Sequence, residues 1–401
     1  MIILEKLFYE DQYQKSFTAN TLDVIEKEGK FHIELDKTCF YPEGGGQPSD
    51  TGFIEDVKIT YVYEENNHIY HVADKKPNKK NKVKCSIDWD RRFDHMQQHL
   101  GQHILSASFV KLFGAPTVGF HLGKSHCTVD IQKFLDKSEI EKVEKLSNDI
   151  ILQNISLEFL YPTRSELKKM NIRKMPSTVD APIRIVKIDD IDVNACCGIH
   201  PSSTIEVQVI KITKWEKYKD CTRIEFLCGN RAVKDYFNKS EFTSTVCSSL
   251  TCDTEAALIQ IEKLTKELKK ALSENNKLKS KIADYEIEDM LRNCEDTKGM
   301  KIIKKIYDNE SVKTVNLIGA KLTSFDNVVA LLGVKSEDKS NLLFMKSKNI
   351  KNCNMNELLK DAITLIDGRG GGNEFSAQGG GKQGNNIESA LDYAYMKIVN
   401  S

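Results

Sequence analysis

Residues 254 to 293 read as one long helix, and it divides the rest of the chain. Ile261, Leu264, Leu268, Ala271, Asn275, Leu278, Ile282 and Tyr285 are spaced alternately by three and four. That is an a/d seam over about four heptads, with one polar a-position at Asn275. Such a helix pairs with a second chain or packs as an antiparallel hairpin; both outcomes are open from the sequence. It separates an N-terminal part that mixes strands and helices from a last hundred residues of α/β character.

The chain has 401 residues, which at roughly 150 residues per domain suggests two to four domains. Hydrophobic content of 40% and charged content of 29% allow each domain a core and a soluble surface. Lys plus Arg and Asp plus Glu both total 58, so net charge is zero; local clustering, not the sum, decides nucleic-acid binding. No basic start precedes a long apolar region at the N-terminus, so a secretory signal is not expected. No apolar run approaches 18 residues, so no membrane span is expected. Eleven cysteines, an odd number, are scattered along the chain, which fits reduced thiols and a cytoplasmic protein.

Residues 1–90 read as β. FHIELDK, GFIEDVKITYVYE and HIYHVAD alternate or carry β-branched and aromatic residues, and Tyr41 to Gly52, YPEGGGQPSDTG, forms a glycine turn. Lys75 to Lys84, KKPNKKNKVK, is a basic stretch that suits a solvated loop or a phosphate contact. From Trp89 the period becomes helical, through Phe93, Met96, Leu100, Ile104 and Ala107, with Gly114 as its stop. TVGFHLGKSHCTVDI predicts two short strands. Ser138 with Glu141 predicts a capping box at the start of a second helix. IRIVKI, TIEVQVIKITKW and CTRIEFLCG predict further strands around NACCGIHPSS. Near the C-terminus VKTVNLIGA, VVALLGV and NLLFMKS read as strands, MNELLKDAITLI and IESALDYAYMKIV as helices, and DGRGGGNEFSAQGGG as a glycine-rich stretch. The fold class is therefore multidomain α+β: an N-terminal β-barrel-like domain (1–90), an α+β zinc-containing core (91–240), a long coiled-coil-type helical segment (241–295) and a C-terminal α/β domain (296–401).

Chemistry concentrates in two places. HMQQHLGQH, His95 to His103, offers two overlapping pairs, His95/His99 and His99/His103, each four apart on one helix face. Either pair can bind one metal ion, whereas three turns drift too far for all three. CCGIH supplies Cys196 and His200, with Gly198 to let the loop bend. Two His plus Cys and His make a sound tetrahedral zinc set; packed histidines and ordinary buried thiols are the plain alternative. Neither glycine stretch is a Walker loop, since both lack GK[ST]. Their backbone amides can still hold an anion, and Arg369 and Lys382 flank the second.

CFYPEGGGQPSDTG, DHMQQHLGQHILSASF, TVGFHLGKSHCTVDI and CCGIHPSSTIEV together resemble the editing domain of alanyl-tRNA synthetase, most closely its free-standing relatives, the AlaX proteins. DGRGGGNEFSAQGGG resembles the DHH-associated domain that ends the synthetase and the long AlaX form. No segment resembles the class II aminoacylation core, and no DHH tripeptide occurs. The resemblance implies a trans-editing hydrolase, an aminoacyl-tRNA deacylase cleaving the ester between serine or glycine and tRNA-Ala at a zinc site. It puts the ligands at His99, His103, Cys196 and His200, leaving His95 a role behind the ligands or facing tRNA. It puts Gln47 close to the substrate in a catalytic role, Gly45, Gly46, Gln102 and Thr117 around it, and Thr117 against a serine hydroxyl. tRNA contacts fall on Arg369, Gly370, Gly371, Gly379, Gly380 and Lys382 and on the long helix. A homodimer would form through residues 254–290 or the C-terminal domain. Three residues depart from the synthetase pattern: Gln102 where threonine is usual, and Cys197 and Ile199 where CGGTH has glycine and threonine. Two other readings are a zinc-stabilised tRNA-binding protein without hydrolysis and, from the C-terminal glycines, a metal-dependent phosphoesterase.

Overall fold

Alternation of apolar and polar residues builds the first layer. Seven antiparallel strands lie in the order Ser16–Ala19, Val83–Ile87, Gly52–Ile54, Val57–Glu65, His68–Ala73, Lys30–Leu35, Thr21–Lys27. Their inward residues, among them Ile33, Leu35, Ile59, Val62, Val83 and Cys85, share one core with Phe8, Phe40 and Tyr41. The barrel expected here is not closed by hydrogen bonds among the described residues. The chain passes from one edge strand to the other through Asn20, whose backbone N–H and side-chain amide both bond Asp36 at 2.8 Å. Of the basic stretch, Lys75, Lys76, Lys82 and Lys84 are exposed, while Lys79 and Lys80 lie outside the described residues. The computed structural model describes residues 4–78, 81–173, 183–337, 339–382 and 386–400. The chain divides into two units, Met1–Val246 and Cys247–Ser401.

Asp88 ends the last strand of this layer and caps the helix Trp89–Phe113, its side chain accepting from Arg91 N–H. Gly114 ends the helix in the left-handed region, as the sequence predicts. Met96 packs into the N-terminal core, and Leu100, Ile104, Leu105 and Phe109 pack into a second. Buried Arg92 binds buried Asp50 through Nε at 3.0 Å to both oxygens, which ties the helix to the sheet. Over the second core lies an antiparallel sheet in the order Thr117–Leu122, Cys127–Ile131, Cys221–Cys228, Ile210–Tyr218. A separate three-stranded sheet, Leu157–Leu160, Ile185–Ile188, Asp192–Ala195, delivers the chain to Cys196.

The helix Lys137–Leu152 starts earlier than its sequence suggests. Asp136, not Ser138, is the cap, with Glu139 closing the box at 2.9 and 3.0 Å. The Ser138 hydroxyl instead donates to Asp136. This register places Leu135 and Ile140, either side of the first turn, in one core, the arrangement of a hydrophobic staple.

In the second unit the long helix runs Ala257–Asn293. It packs on the C-terminal sheet near its end, through Ala283 and Ile287, while Ile261, Leu264, Leu268, Leu278, Ile282 and Tyr285 of the seam are exposed. The mixed sheet follows the order Asp296–Thr297, Met300–Asp308, Val328–Lys335, Ser340–Lys346, Ser376–Gly381, Arg369–Gly372. Met300–Asp308 and Val328–Lys335 are parallel, so a crossover must join them. VKTVNLIGA, expected as a strand, is that crossover: the helix Val312–Leu322, capped by Ser311. Its buried residues are Val315, Ile318, Gly319 and Leu322, the i, i+3, i+4, i+7 stripe of a helix. No helix among the described residues is long and apolar enough to cross a membrane.

Candidate metal centre and its cavity

His99 and His103 lie one turn apart on the buried face of Trp89–Phe113, with ring centroids 5.3 Å apart. The loop after Asp192–Ala195 brings Cys196 and His200 to the same point. One donor atom from each of the four lies within 4.8 Å of every other. Cys196 Sγ is 3.4 Å from His99 Nε2 and 3.7 Å from His200 Nε2. Zn–N near 2.0–2.1 Å and Zn–S near 2.3 Å make the N···S edge of a regular tetrahedron roughly 3.6 Å. The donor set and its spacing thus fit one zinc ion. His95, the rival in the sequence, is buried and outside this group; it cannot face tRNA. Burial holds it neutral, with its pKa lowered to about 3.

Two of the three histidines are held from behind, His103 by Asp192 and His99 by Gln47, while His200 Nδ1 has no hydrogen-bond partner among the described residues. Asp192 Oδ2 accepts from His103 Nδ1 at 2.9 Å, and Arg173 binds the same carboxylate at 2.6 and 3.0 Å. That fixes the proton on Nδ1 and turns Nε2 to the centre. Burial opposes a charge on His103, but the Asp192 bond and Cys196 outweigh it and raise its pKa to about 9. Burial would push the Cys196 thiol up; the imidazoles of His99 and His200 prevail and hold it well below its ordinary value. His200 is kept neutral by burial, its pKa lowered to about 3. Ligation needs the thiolate and neutral imidazoles, so the proton that Asp192 and Cys196 favour on His103 Nε2 must leave as a metal ion binds.

Gln47 occupies a different place from the one expected. Its side chain is fully buried, and Oε1 accepts from His99 Nδ1 at 2.9 Å and from Ile199 N–H at 3.1 Å. It orients a ligand and does not line the cavity. Gly198 leaves room for this packing, since a Cβ there would lie 2.2 Å from His99 Cε1 and 2.9 Å from Gln47 Oε1. Ile199 points away from the donors, into the N-terminal core.

Three of the donors, His99, His103 and Cys196, open onto a cavity of about 290 Å³. Its walls include Gly45, Gly46, Gln102, Thr117, Phe120, Arg173 and Asn194, so four of the five substrate-side residues predicted from sequence meet there and Gln47 does not. Thr117 Oγ1 donates to Ser106 Oγ at 2.7 Å, and Gln102 Nε2 donates to the same oxygen at 2.8 Å. Asn194 adds a buried Oδ1 that accepts no hydrogen bond among the described residues. Asp192, Arg173, Ser106 and Asn194 escaped the sequence reading: Ser106 and Asn194 lie within the quoted stretches but at no ligand spacing, and Asp192 and Arg173 lie outside them.

Family models match three stretches of the chain. The threonyl and alanyl tRNA synthetase second additional domain covers residues 183–225, class II (A) tRNA synthetases residues 5–91, and the DHHA1 domain residues 299–400. The alanyl-tRNA editing protein AlaX-L of Pyrococcus horikoshii is 31% identical over 398 residues, 94% of this chain and 94% of that protein. The chain belongs to the AlaX family of alanyl-tRNA editing proteins. Aarsd1-A of Xenopus laevis, also named an alanyl-tRNA editing protein, is 32% identical over 73% of this chain and 72% of its own. The alanine–tRNA ligase of Methanobrevibacter smithii is 32% identical over 97% of this chain but only 45% of its own. The chain thus spans nearly all of AlaX-L and under half of that synthetase. Among solved structures, the C-Ala domain of Aquifex aeolicus alanyl-tRNA synthetase matches 27% of the chain at 21% identity, TM-score 0.25.

Two expectations change within the AlaX family assignment. Residues 5–91 do match a class II synthetase model, although no segment was expected to; the matched stretch forms the seven-stranded sheet. The C-terminal glycines form a hairpin, not an open loop: Arg369 to Gly372 pairs with Ala377 to Gly380. Gly372 has the clearest reason to be glycine, since a Cβ there would lie 2.1 Å from the backbone oxygen of Ser376. Arg369 and Lys382 are exposed at the ends of this hairpin. They belong to the second unit, the metal donors to the first.

Proposed function

We propose that the chain is a trans-editing aminoacyl-tRNA deacylase, hydrolysing the ester of Ser-tRNA-Ala, and of Gly-tRNA-Ala, at a zinc site. The observation that carries this reading is a tight His99, His103, Cys196, His200 donor set, three of whose members line a cavity with room for a small aminoacyl group. Zinc held there would supply positive charge beside the ester carbonyl. The chain's own residues do the sorting. Thr117 Oγ1 gives its proton to Ser106 and keeps lone pairs for a serine hydroxyl. Alanine lacks that hydroxyl, and a site built to hydrogen-bond one rejects the analogue without it; glycine lacks it too, so by this contact Gly-tRNA-Ala is the poorer substrate of the two. Asn194 Oδ1 is an acceptor for the substrate ammonium. Gln47 keeps His99 in place and takes no part in contact with the substrate. Arg369, Lys382 and the glycine hairpin are the tRNA-binding surface of the second unit.

One observation favours a second reading. Four protein donors close a tetrahedral shell, as in structural zinc sites, which suits a zinc-stabilised tRNA-binding protein without hydrolysis. One assay separates the two. Ser-, Gly- and Ala-tRNA-Ala are incubated with the protein, with and without chelator, and with Cys196→Ala. We expect loss of serine, spared alanine, and no activity in the chelated or substituted protein. Retained tRNA binding with no deacylation by the wild type would select the second reading.

A further inference from the structure

The loop that carries Cys196 and His200 has no regular structure, yet three successive carbonyls in it are drawn outward. Cys196 O and Gly198 O accept from Arg184 Nη1 at 3.1 and 2.9 Å. Cys197 O, between them, accepts from the Tyr9 hydroxyl at 2.7 Å, across 188 residues of sequence. The Arg184 guanidinium lies over the rings of both Tyr9 and Phe159, at 4.9 and 4.5 Å. Beyond the loop, Ser202 N–H donates to the Tyr13 hydroxyl at 2.7 Å, and Tyr13 donates to Glu206 Oε1 at 2.5 Å. With the carbonyls turned out, N–H groups turn in: Gly198 toward Cys196 Sγ at 3.4 Å, and Ile199 toward Gln47 Oε1.

We infer that Tyr9, Tyr13 and Arg184 are positioning residues for the metal centre, and that the N-terminal segment, which holds no ligand, sets metal affinity. None of the three lines the cavity. Arg184 and Tyr9 together fix the peptide planes on which Cys196 Sγ depends. One nitrogen, Nη1, serves both carbonyls, and it is held there by the stacking of the planar guanidinium on Tyr9 and Phe159, which an ammonium would lose. The inference rests on the zinc reading above.

The test uses the full chain as Tyr9→Phe, Arg184→Met and Arg184→Lys, with exposed Tyr236→Phe as the matched control. Zinc affinity is measured by competition with a chromophoric chelator, and the site geometry by the visible spectrum of the cobalt(II) form. We expect about a tenfold loss for Tyr9→Phe and about ten- to a hundredfold for Arg184→Met, the range for residues that orient metal ligands. Arg184→Lys should recover only part. The cobalt bands should move in the variants and stay in the control. With saturating zinc, kcat for Ser-tRNA-Ala should fall and KM hold. Affinities within twofold of wild type, or a loss in Tyr9→Phe matched by a drop in the melting temperature of the metal-free protein, overturns the inference. A wild type that binds no zinc is a different failure, since it removes the zinc reading before any variant is compared.

Discussion

At the scale of single residues, polar groups inside this protein are placed for one protonation state. His71 is fully buried in the first sheet. Its Nδ1 donates to Ile33 O at 2.9 Å, and its Nε2 accepts from the Thr38 hydroxyl at 2.8 Å, which itself accepts from Phe40 N–H. Only the neutral ring satisfies that chain of bonds, and burial lowers the His71 pKa to about 4. The unfolded chain takes up its proton near pH 6.5, before the fold does. This contribution is therefore whole above pH 6.5 and declines as pH falls to 4, by about 3 kcal/mol in all. Melting of metal-free wild type and His71→Gln across this range should show a steeper loss in the wild type; parallel curves would refute it. The four donors were legible from spacing and family register. Gln47 was legible as part of the site but not in its orientation, because a motif names neighbours and not which way a side chain faces. Tyr9 and Arg184 carry no spacing signal at all.

At the scale of elements, period and caps read well where both agreed. Trp89–Phe113 begins and ends where Asp88 and Gly114 put it. VKTVNLIGA misled because its valines and its near-alternation suit a strand, while the Ser311 cap and the apolar stripe win in the fold. Met300–Asp308, the strand beside it, was missed because its lysines break the apolar run. The helix Lys137–Leu152 offers a direct check on cap choice. Asp136→Ala should cost about 1 kcal/mol, the usual value for a lost N-cap, and Ser138→Ala only a few tenths, since Ser138 merely braces Asp136. Denaturant titration of both variants decides it, and equal losses would restore Ser138 as the cap.

At the scale of the whole molecule, the chain divides into a unit that carries the donors and a unit that carries the glycine hairpin. The long helix was expected to divide the chain; the division falls after Val246, before that helix begins at Ala257. What the sequence could not say is that the end of this helix belongs to the C-terminal core, since Ala283 and Ile287 look like ordinary seam neighbours. Leu268 and Leu278 are 61% and 59% exposed, which leaves the apolar seam open along this part of the helix. If the seam pairs with a second copy, the wild type should sediment as a dimer and Leu268→Asp with Leu278→Asp as a monomer. A wild-type monomer would end that idea.

The Gln47 oxygen that bonds both His99 and Ile199 has a kinetic consequence. Residues from near positions 47, 99 and 199 must all be in place before it is satisfied, so the centre is built from distant parts of the chain and closes late in folding. During synthesis, no metal ion can be captured by the complete donor set until His200 has left the ribosome. Over that interval the two histidines of the helix stand without their thiolate. If a metal ion fills these donors, the chain order makes its capture by the complete set a step that follows translation of residue 200.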